Sequence, residues 1–476
     1  MPYPGKQLTF LVIFLLLHLS NTFAQNDSST VFHLDDLYAI VVQNHPLAKQ
    51  ARLLSENAQQ QLRLSRGFFD PKISSSYNSK VFKGKDYYSK WKSELKVPVW
   101  FAGMDLKAGY ERNDGDYLNP EADTDSGNGL AYAGLSLPIG QGLFIDQRRA
   151  TLRQAEIFQN LAQAEQVKLL NKLFLQVAKD YWQWYYNYHQ ELLLQNGYQL
   201  ALFRFEAVRI RVNQGDLASI DSVEALSILQ EREINLKRAQ VQAKNARILL
   251  SNHLWGEEGE PLELSALFTP MEMLDTEFAD ATLAELYEFA NENHPELLKI
   301  NYKLDQLDIQ RRLAREYLKP VLNLNYNFLS RTVDSDKQEI NSQFFTENYK
   351  FGVDFVFPIF LRKERAKVQQ TNIKIDQANL DRFYLNRTVL NEITMQYNEV
   401  QNLKELLQLQ EDMVSNYQRL LDGEREKFRN GESSVFYVNV REGKLLDTQI
   451  KLFKMRFEYA KSLATLRWSA GMGIDG

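Results

Sequence analysis

The feature that most constrains this chain is that it writes one passage twice. Residues 34–50 read LDDLYAIVVQNHPLAKQ and residues 283–299 read LAELYEFANENHPELLK, so Asn-His-Pro recurs at an offset of 249. The register holds well beyond it. Leu34, Leu37 and Tyr38 match Leu283, Leu286 and Tyr287; RGFFDP (66–71) matches REYLKP (315–320); Tyr77-Asn78 matches Tyr326-Asn327. Later landmarks keep their order at shorter offsets. Pro138 pairs with Pro358, RIRVNQG (209–215) with REKFRNG (425–431), and Trp255 with Trp468. A fixed order of landmarks repeated along a chain marks a duplicated structural unit, here with an insertion between the two prolines of the first copy.

Duplication changes how His45 and His294 are read. As a pair they would suggest two bases or two metal ligands; as equivalent positions of two copies they are helix punctuation. The other histidines, His18, His33, His189 and His253, make no zinc spacing. No Gly-x-Ser-x-Gly elbow appears. The absence of cysteine removes disulfides and thiolate chemistry. A non-enzymatic chain without cofactor is the expectation.

The N-terminus points to export. Lys6 precedes the apolar run Leu8–Leu17, and a small-residue site follows at Ala24, so residues 1–24 read as a signal peptide. Beyond Gln25 no run of about 18 apolar residues recurs. An exported chain of this kind is soluble, peripheral, or inserted as a β-barrel. The net charge of −5 speaks against a nucleic-acid partner. A mean hydropathy of −0.42 does not exclude a barrel, because barrel strands alternate and average out.

Each copy reads alike. A short amphipathic helix (34–43, 283–292) ends at the proline motif. Pro46 and Pro295 suit the first turn of the next helix, with Asn or His as its cap. That helix runs to about Gly67 or Tyr317, where Pro71 and Pro320 stop it. The period then switches to two. In VLNLNYNFLS (321–330) and YKFGVDFVF (349–357) apolar and polar residues alternate over the length a tilted membrane strand needs. Residues 72–82 and 130–139 alternate more weakly, 88–112 leaves room for a further hairpin, and 114–129 is an acidic, glycine-containing loop. Long proline-free segments follow, 144–212 and 362–429, each roughly 100 Å if helical. Gly215 and Gly431 suit a left-handed helix cap, after which helix returns to Trp255 and Trp468. The expected division is a first repeat over 25–282 and a second over 283–476. The first holds a hairpin segment at 72–139, long helices at 144–255 and a connector at 257–282. The second holds a hairpin segment at 321–358 and long helices at 362–468.

About four strands per chain cannot close a barrel, and open edges cannot face lipid. The strands must therefore be shared among copies about a rotation axis, with the helices extending the same wall into water. The expected product is a membrane α+β tube. With the twofold repeat, the Asn-x-Pro motif, and the turns QGDLASIDSVEA (214–225) and NGESSVFYVNVREG (430–443), the chain resembles the TolC-like outer membrane efflux proteins over nearly all of its mature length. The resemblance implies a homotrimer in the outer membrane lipid of a Gram-negative-type envelope. It implies a twelve-stranded transmembrane β-barrel continued by a periplasmic α-helical barrel closed at its tip. The implied partners are a periplasmic adaptor protein docked at the tips and an inner-membrane transporter that supplies the energy.

The family often carries an aspartate ring in the second-copy turn. Here Tyr437 stands six residues after Gly431, and Val440 occupies the next inward position. The first copy offers Asp221 and Glu224, and Asp216 and Glu432 sit beside the two glycines. A gate of Tyr437 with first-copy acids, narrowed by bulk as much as charge, is one reading; solvated turn residues are the other. The aromatic run DYWQWYYNYHQ (180–190) reads as packing against neighbouring helices and the connector rather than as a tube lining. The leading function is the exit duct of a tripartite efflux pump. A duct for type I protein secretion, or a non-conducting surface coiled-coil scaffold, remains beside it.

Overall fold

The computed structural model describes residues 30–124, 129–272, 282–330 and 347–473. The expected signal peptide, residues 125–128 of the acidic loop and residues 273–281 of the connector lie outside them. The chain opens with β1 (Thr30–Phe32), α1 (Leu34–Asn44) and α2 (Pro46–Arg66). Four strands follow, β2 (Lys72–Phe82), β3 (Lys85–Pro98), β4 (Asp105–Asp114) and β5 (Leu130–Pro138). Next come α3 (Gln147–Asn213), α4 (Ser219–Ser251) and β6 (Phe268–Pro270). The second copy is α5 (Leu283–Asn293), α6 (Pro295–Glu316), β7 (Val321–Ser330), β8 (Tyr349–Val356), α7 (Arg362–Arg429) and α8 (Val435–Ser469).

His45 and His294 are the N-caps, not the asparagines beside them. Their Nδ1 atoms accept from the backbone N–H of Leu47 (3.1 Å) and Glu296 (3.3 Å), and Pro46 and Pro295 open the helices. A proline has no N–H to satisfy, so it is well placed there.

The main sheet is antiparallel with the order β2-β3-β4-β5-β7-β8. It holds six strands rather than the four expected, because the hairpin left open at 88–112 is formed. Two things hid it. The β2–β3 link is a two-residue turn at Lys83 and Gly84, both with positive φ (54° and 72°), the geometry that hairpin twist requires. And β3 alternates charge with mixed apolar and small residues, so its apolar signal averages away.

Register sorts the sheet into two faces. Leu135 lies opposite Leu106 and Tyr326, and Tyr326 opposite Phe351; Leu324 lies between Leu137 and Val353. Ile73–Leu95 and Tyr77–Trp91 continue that apolar face across the first copy. The opposite face carries Lys72, Lys92, Glu94, Lys96, Lys107 and Asn325. Ile73 is 82% and Phe355 65% exposed on the single chain, an apolar surface that needs a lipid or protein covering. The outer edges of β2 and β8 are both unpaired among the described residues.

The 67-residue α3 and the 68-residue α7 are each about 100 Å long and fold back on α4 and α8. Two cores hold the middle, one per copy. Leu37, Val41 and Val177 centre the first; Leu286, Ala290 and Ile393 hold equivalent places in the second. The aromatic run belongs to the first core. Tyr181, Trp184 and Tyr185 are buried against α1, α4 and the connector's Leu264 and Phe268. Tyr181 donates to the carbonyl of Phe32 (2.7 Å) and accepts from the N–H of Met271 (3.0 Å). It thereby ties the parallel pair β1–β6, which the sequence reading did not anticipate.

Candidate channel tip and sheet junction

The far ends of the two helical hairpins are built alike. After α3 the N–H of Gly215 donates to the carbonyl of Val212 (3.0 Å) and that of Asp216 to Arg211 (2.9 Å). After α7 Gly431 donates to Phe428 (3.1 Å) and Glu432 to Lys427 (2.8 Å). This is the Schellman pattern, and the glycines hold the left-handed position with φ of +83° and +78°. Asp216 and Glu432 thus close the turns through their backbones while their side chains face solvent. The carboxylate of Asp221 accepts from the N–H of Ala218 (3.2 Å), capping α4.

Between the two hairpins lies a cleft of about 740 Å³, lined by Arg204, Asp221, Glu224, Arg425 and Glu442 among others. Glu442, only 13% exposed in its side chain, accepts from the guanidiniums of both Arg204 and Arg425, the latter at 2.7 Å. Arg204 also donates to Asn439 Oδ1 at 2.6 Å. One carboxylate therefore bridges the first-copy and second-copy hairpins. Sequence reasoning missed this triad because Arg204 and Glu442 sit in ordinary charged helical runs, 238 positions apart. The proposed partners are not brought together within one chain. Asp221 and Glu224 line the cleft, whereas Tyr437 and Val440 do not; they are exposed, and the Tyr437 ring packs edge-on against Phe436 at 5.5 Å.

At the other end, the junction between helix and sheet is a buried polar knot. Asp146 caps α3 by accepting from the N–H of Arg149 (2.8 Å) and pairs with Arg148 (3.1 Å). Arg148 reaches across to Asp105 on β4 (2.7 Å) and to the carbonyl of Gly103 (2.9 Å). Buried Arg149 donates to the carbonyls of Leu143 (3.2 Å) and Gly142. Glu316, where α6 ends before Pro320, accepts from the N–H of Gly142 (3.2 Å) and pairs with Lys319 (2.7 Å). The carbonyl of Pro320 accepts from Gln141 (2.7 Å), so both copies are stitched where strand becomes helix. Pro71 lies directly before β2 on the same side.

Two copies of one unit, a sheet with an apolar face, and hairpins about 100 Å long meet a single family description. The profile of outer membrane efflux proteins matches residues 100–256 and 286–472. The chain belongs to the outer membrane efflux protein family. An outer membrane efflux protein sits in the outer membrane with its helices extending into the periplasm, so the open-edged sheet is the membrane part. Solved structures share this fold. The CmeC outer membrane channel of Campylobacter jejuni superposes with a TM-score of 0.62 at 15% identity, covering 95% of this chain and 90% of that one. VceC of Vibrio cholerae gives 0.62 at 15%, covering 92% and 96%. The MtrE outer membrane channel of Neisseria gonorrhoeae, in its open state, gives 0.64 at 14%, covering 96% and 94%. No curated protein sequence matches the chain.

Proposed function

We propose that this efflux protein is the passive exit duct of a tripartite pump, conducting substrates through the periplasm and outer membrane as a homotrimer. One observation carries the reading. A single sheet with one apolar and one polar face, unpaired at both edges among the described residues, runs directly into two long helical hairpins. Copies arranged about an axis pair those edges, turn the apolar face to lipid and enclose the polar face. The hairpin turns at Gly215 and Gly431 are the docking points for a periplasmic adaptor, which links the duct to an inner-membrane transporter. Asp216, Asp221, Glu224 and Glu432 give the tip an acidic rim. Tyr437 and Val440, exposed on the single chain, narrow the passage where copies meet.

The closed tip is held by Glu442 between Arg204 and Arg425. Glu442→Gln removes the shared charge and leaves two guanidiniums facing each other, so the hairpins part more readily. The test is the native mass of the detergent-extracted particle, followed by single-channel recording in planar bilayers. A particle of three chain masses with small closed-state conductance that rises in the Glu442→Gln variant supports the reading. A monomer that carries no current sinks it.

A further inference from the structure

The polar face of the sheet has an uneven charge. Lys72, Lys96 and Lys107 are directly opposed neighbours on β2, β3 and β4. Adjacent strands lie about 4.8 Å apart, so three ammonium stems stand in one row about 10 Å wide. Like charges placed opposite one another across strands are destabilising, and the row is only partly neutralised. Lys96 pairs with Asp105 (2.9 Å), but Asp105 is shared with Arg148. Lys107 donates to the neutral amide oxygen of Asn325 (3.4 Å). Lys72 has no ion-pair partner among the described residues.

Of the carboxylates farther along this face, Glu94 and Glu111 share Lys92, and Glu94 also lies in the field of Lys107. Glu94 and Asp354 keep their charge, because their hydrogen-bond donors, Tyr132 and Asn325, are neutral. Glu94 accepts from the Tyr132 hydroxyl (2.6 Å) and Glu111 pairs with Lys92 (2.8 Å). Asp354 accepts from Asn325 (2.7 Å). The acids of the tip cannot compensate, because they lie about 100 Å away along α3 and a Debye length is about 10 Å.

We propose that the polar face is an anion-preferring lining, with Lys72, Lys96 and Lys107 forming a collar where the helical section feeds the sheet. This rests on the conduit reading and adds the cargo class. Small molecules bearing carboxylate, sulfonate or phosphate groups are favoured. A ring of lysines around a pore, repeated in each copy, attracts such groups and repels cations, and low-dielectric walls strengthen the effect.

The experiment is the reversal potential of the assembled channel in a planar bilayer under a potassium chloride gradient. The unmodified channel is expected to reverse on the chloride side. Lys72→Glu/Lys96→Glu/Lys107→Glu is expected to move it to the potassium side. Lys72→Gln/Lys107→Gln keeps the Lys96–Asp105 pair, guards against a folding failure, and is expected to fall between the two. Potassium preference in the unmodified channel overturns the inference, as does a chloride preference that neither variant moves. Both results leave the conduit standing. An assembled protein that carries no current removes the conduit, and this inference with it.

Discussion

At the scale of single residues, the two turn glycines and the two cap histidines make opposite kinds of demand. Gly215 and Gly431 have open space where a Cβ would go, with no atom within 4 Å, so only their backbone conformation resists substitution. Gly215→Ala and Gly431→Ala should each destabilise by about 1–2 kcal/mol, the cost of a left-handed L-residue. Gly423 lies inside α7 with equally open space and no positive φ. Gly423→Ala should therefore stabilise by about 0.5–1 kcal/mol. Thermal unfolding of the three variants gives the signs directly. The histidines respond to pH instead. Burial, then the neighbouring His253 ring, pushes the His45 imidazole below its usual range; burial does the same to His294, against a weaker pull from Glu296. A depressed folded value means that the unfolded chain binds the proton first. Their stabilising contribution is therefore complete above about pH 6.5 and is lost as pH falls below it. Hydrogen-exchange protection at the starts of α2 and α6, corrected for the slower intrinsic exchange at lower pH, should fall as pH drops from 7.5 to 5.5. His45→Asn, which keeps a capping side chain, should flatten that response at α2 alone.

At the scale of elements, the anchoring of β1 and β6 to α3 hangs on one hydroxyl. Tyr181→Phe leaves the Phe32 carbonyl and the Met271 N–H without their buried partner, at a cost of about 1–3 kcal/mol. The loss should surface first as faster proteolysis near residues 30–32 and 268–270, with α3 itself intact. The sequence could not have revealed this pair. Thr30–Phe32 and Phe268–Pro270 are three residues each, too short for a period, and they meet across more than two hundred positions. The long helices were legible for the opposite reason, since proline-free length and a terminal glycine are local signals; α7 runs from Arg362 to Arg429 as its composition predicts. Strands were legible only where apolar residues filled one whole face, as in β7. In β3, Trp91 and Leu95 alternate with Lys92 and Glu94 but Ser93 stands between them, and Lys83-Gly84 is a less obvious turn than Asn-Gly. At the tip, sequence order placed Asp216 and Glu432 beside the turns. It could not see Arg204 meet Glu442, because long-range ion pairs leave no periodic trace.

At the scale of the whole molecule, the described chain is half-finished at two places. The sheet exposes Ile73, Phe351 and Phe355 on one face and backbone at both edges, and no helix among the described residues is long and apolar enough to cross a membrane. Both lacks are met by the same assembly. Native mass measured with and without prior heating in detergent should show a ring that dissociates into single chains, with no stable dimer, since two copies still leave two edges open. Inheritance feels this geometry. A damaged copy that still offers sound β2 and β8 edges is built into rings alongside healthy ones. In a cell making both in equal amounts, only about one ring in eight escapes it if three copies mix freely. A lesion at the distant hairpin turns is therefore expected to be dominant, and a lesion that abolishes an edge recessive.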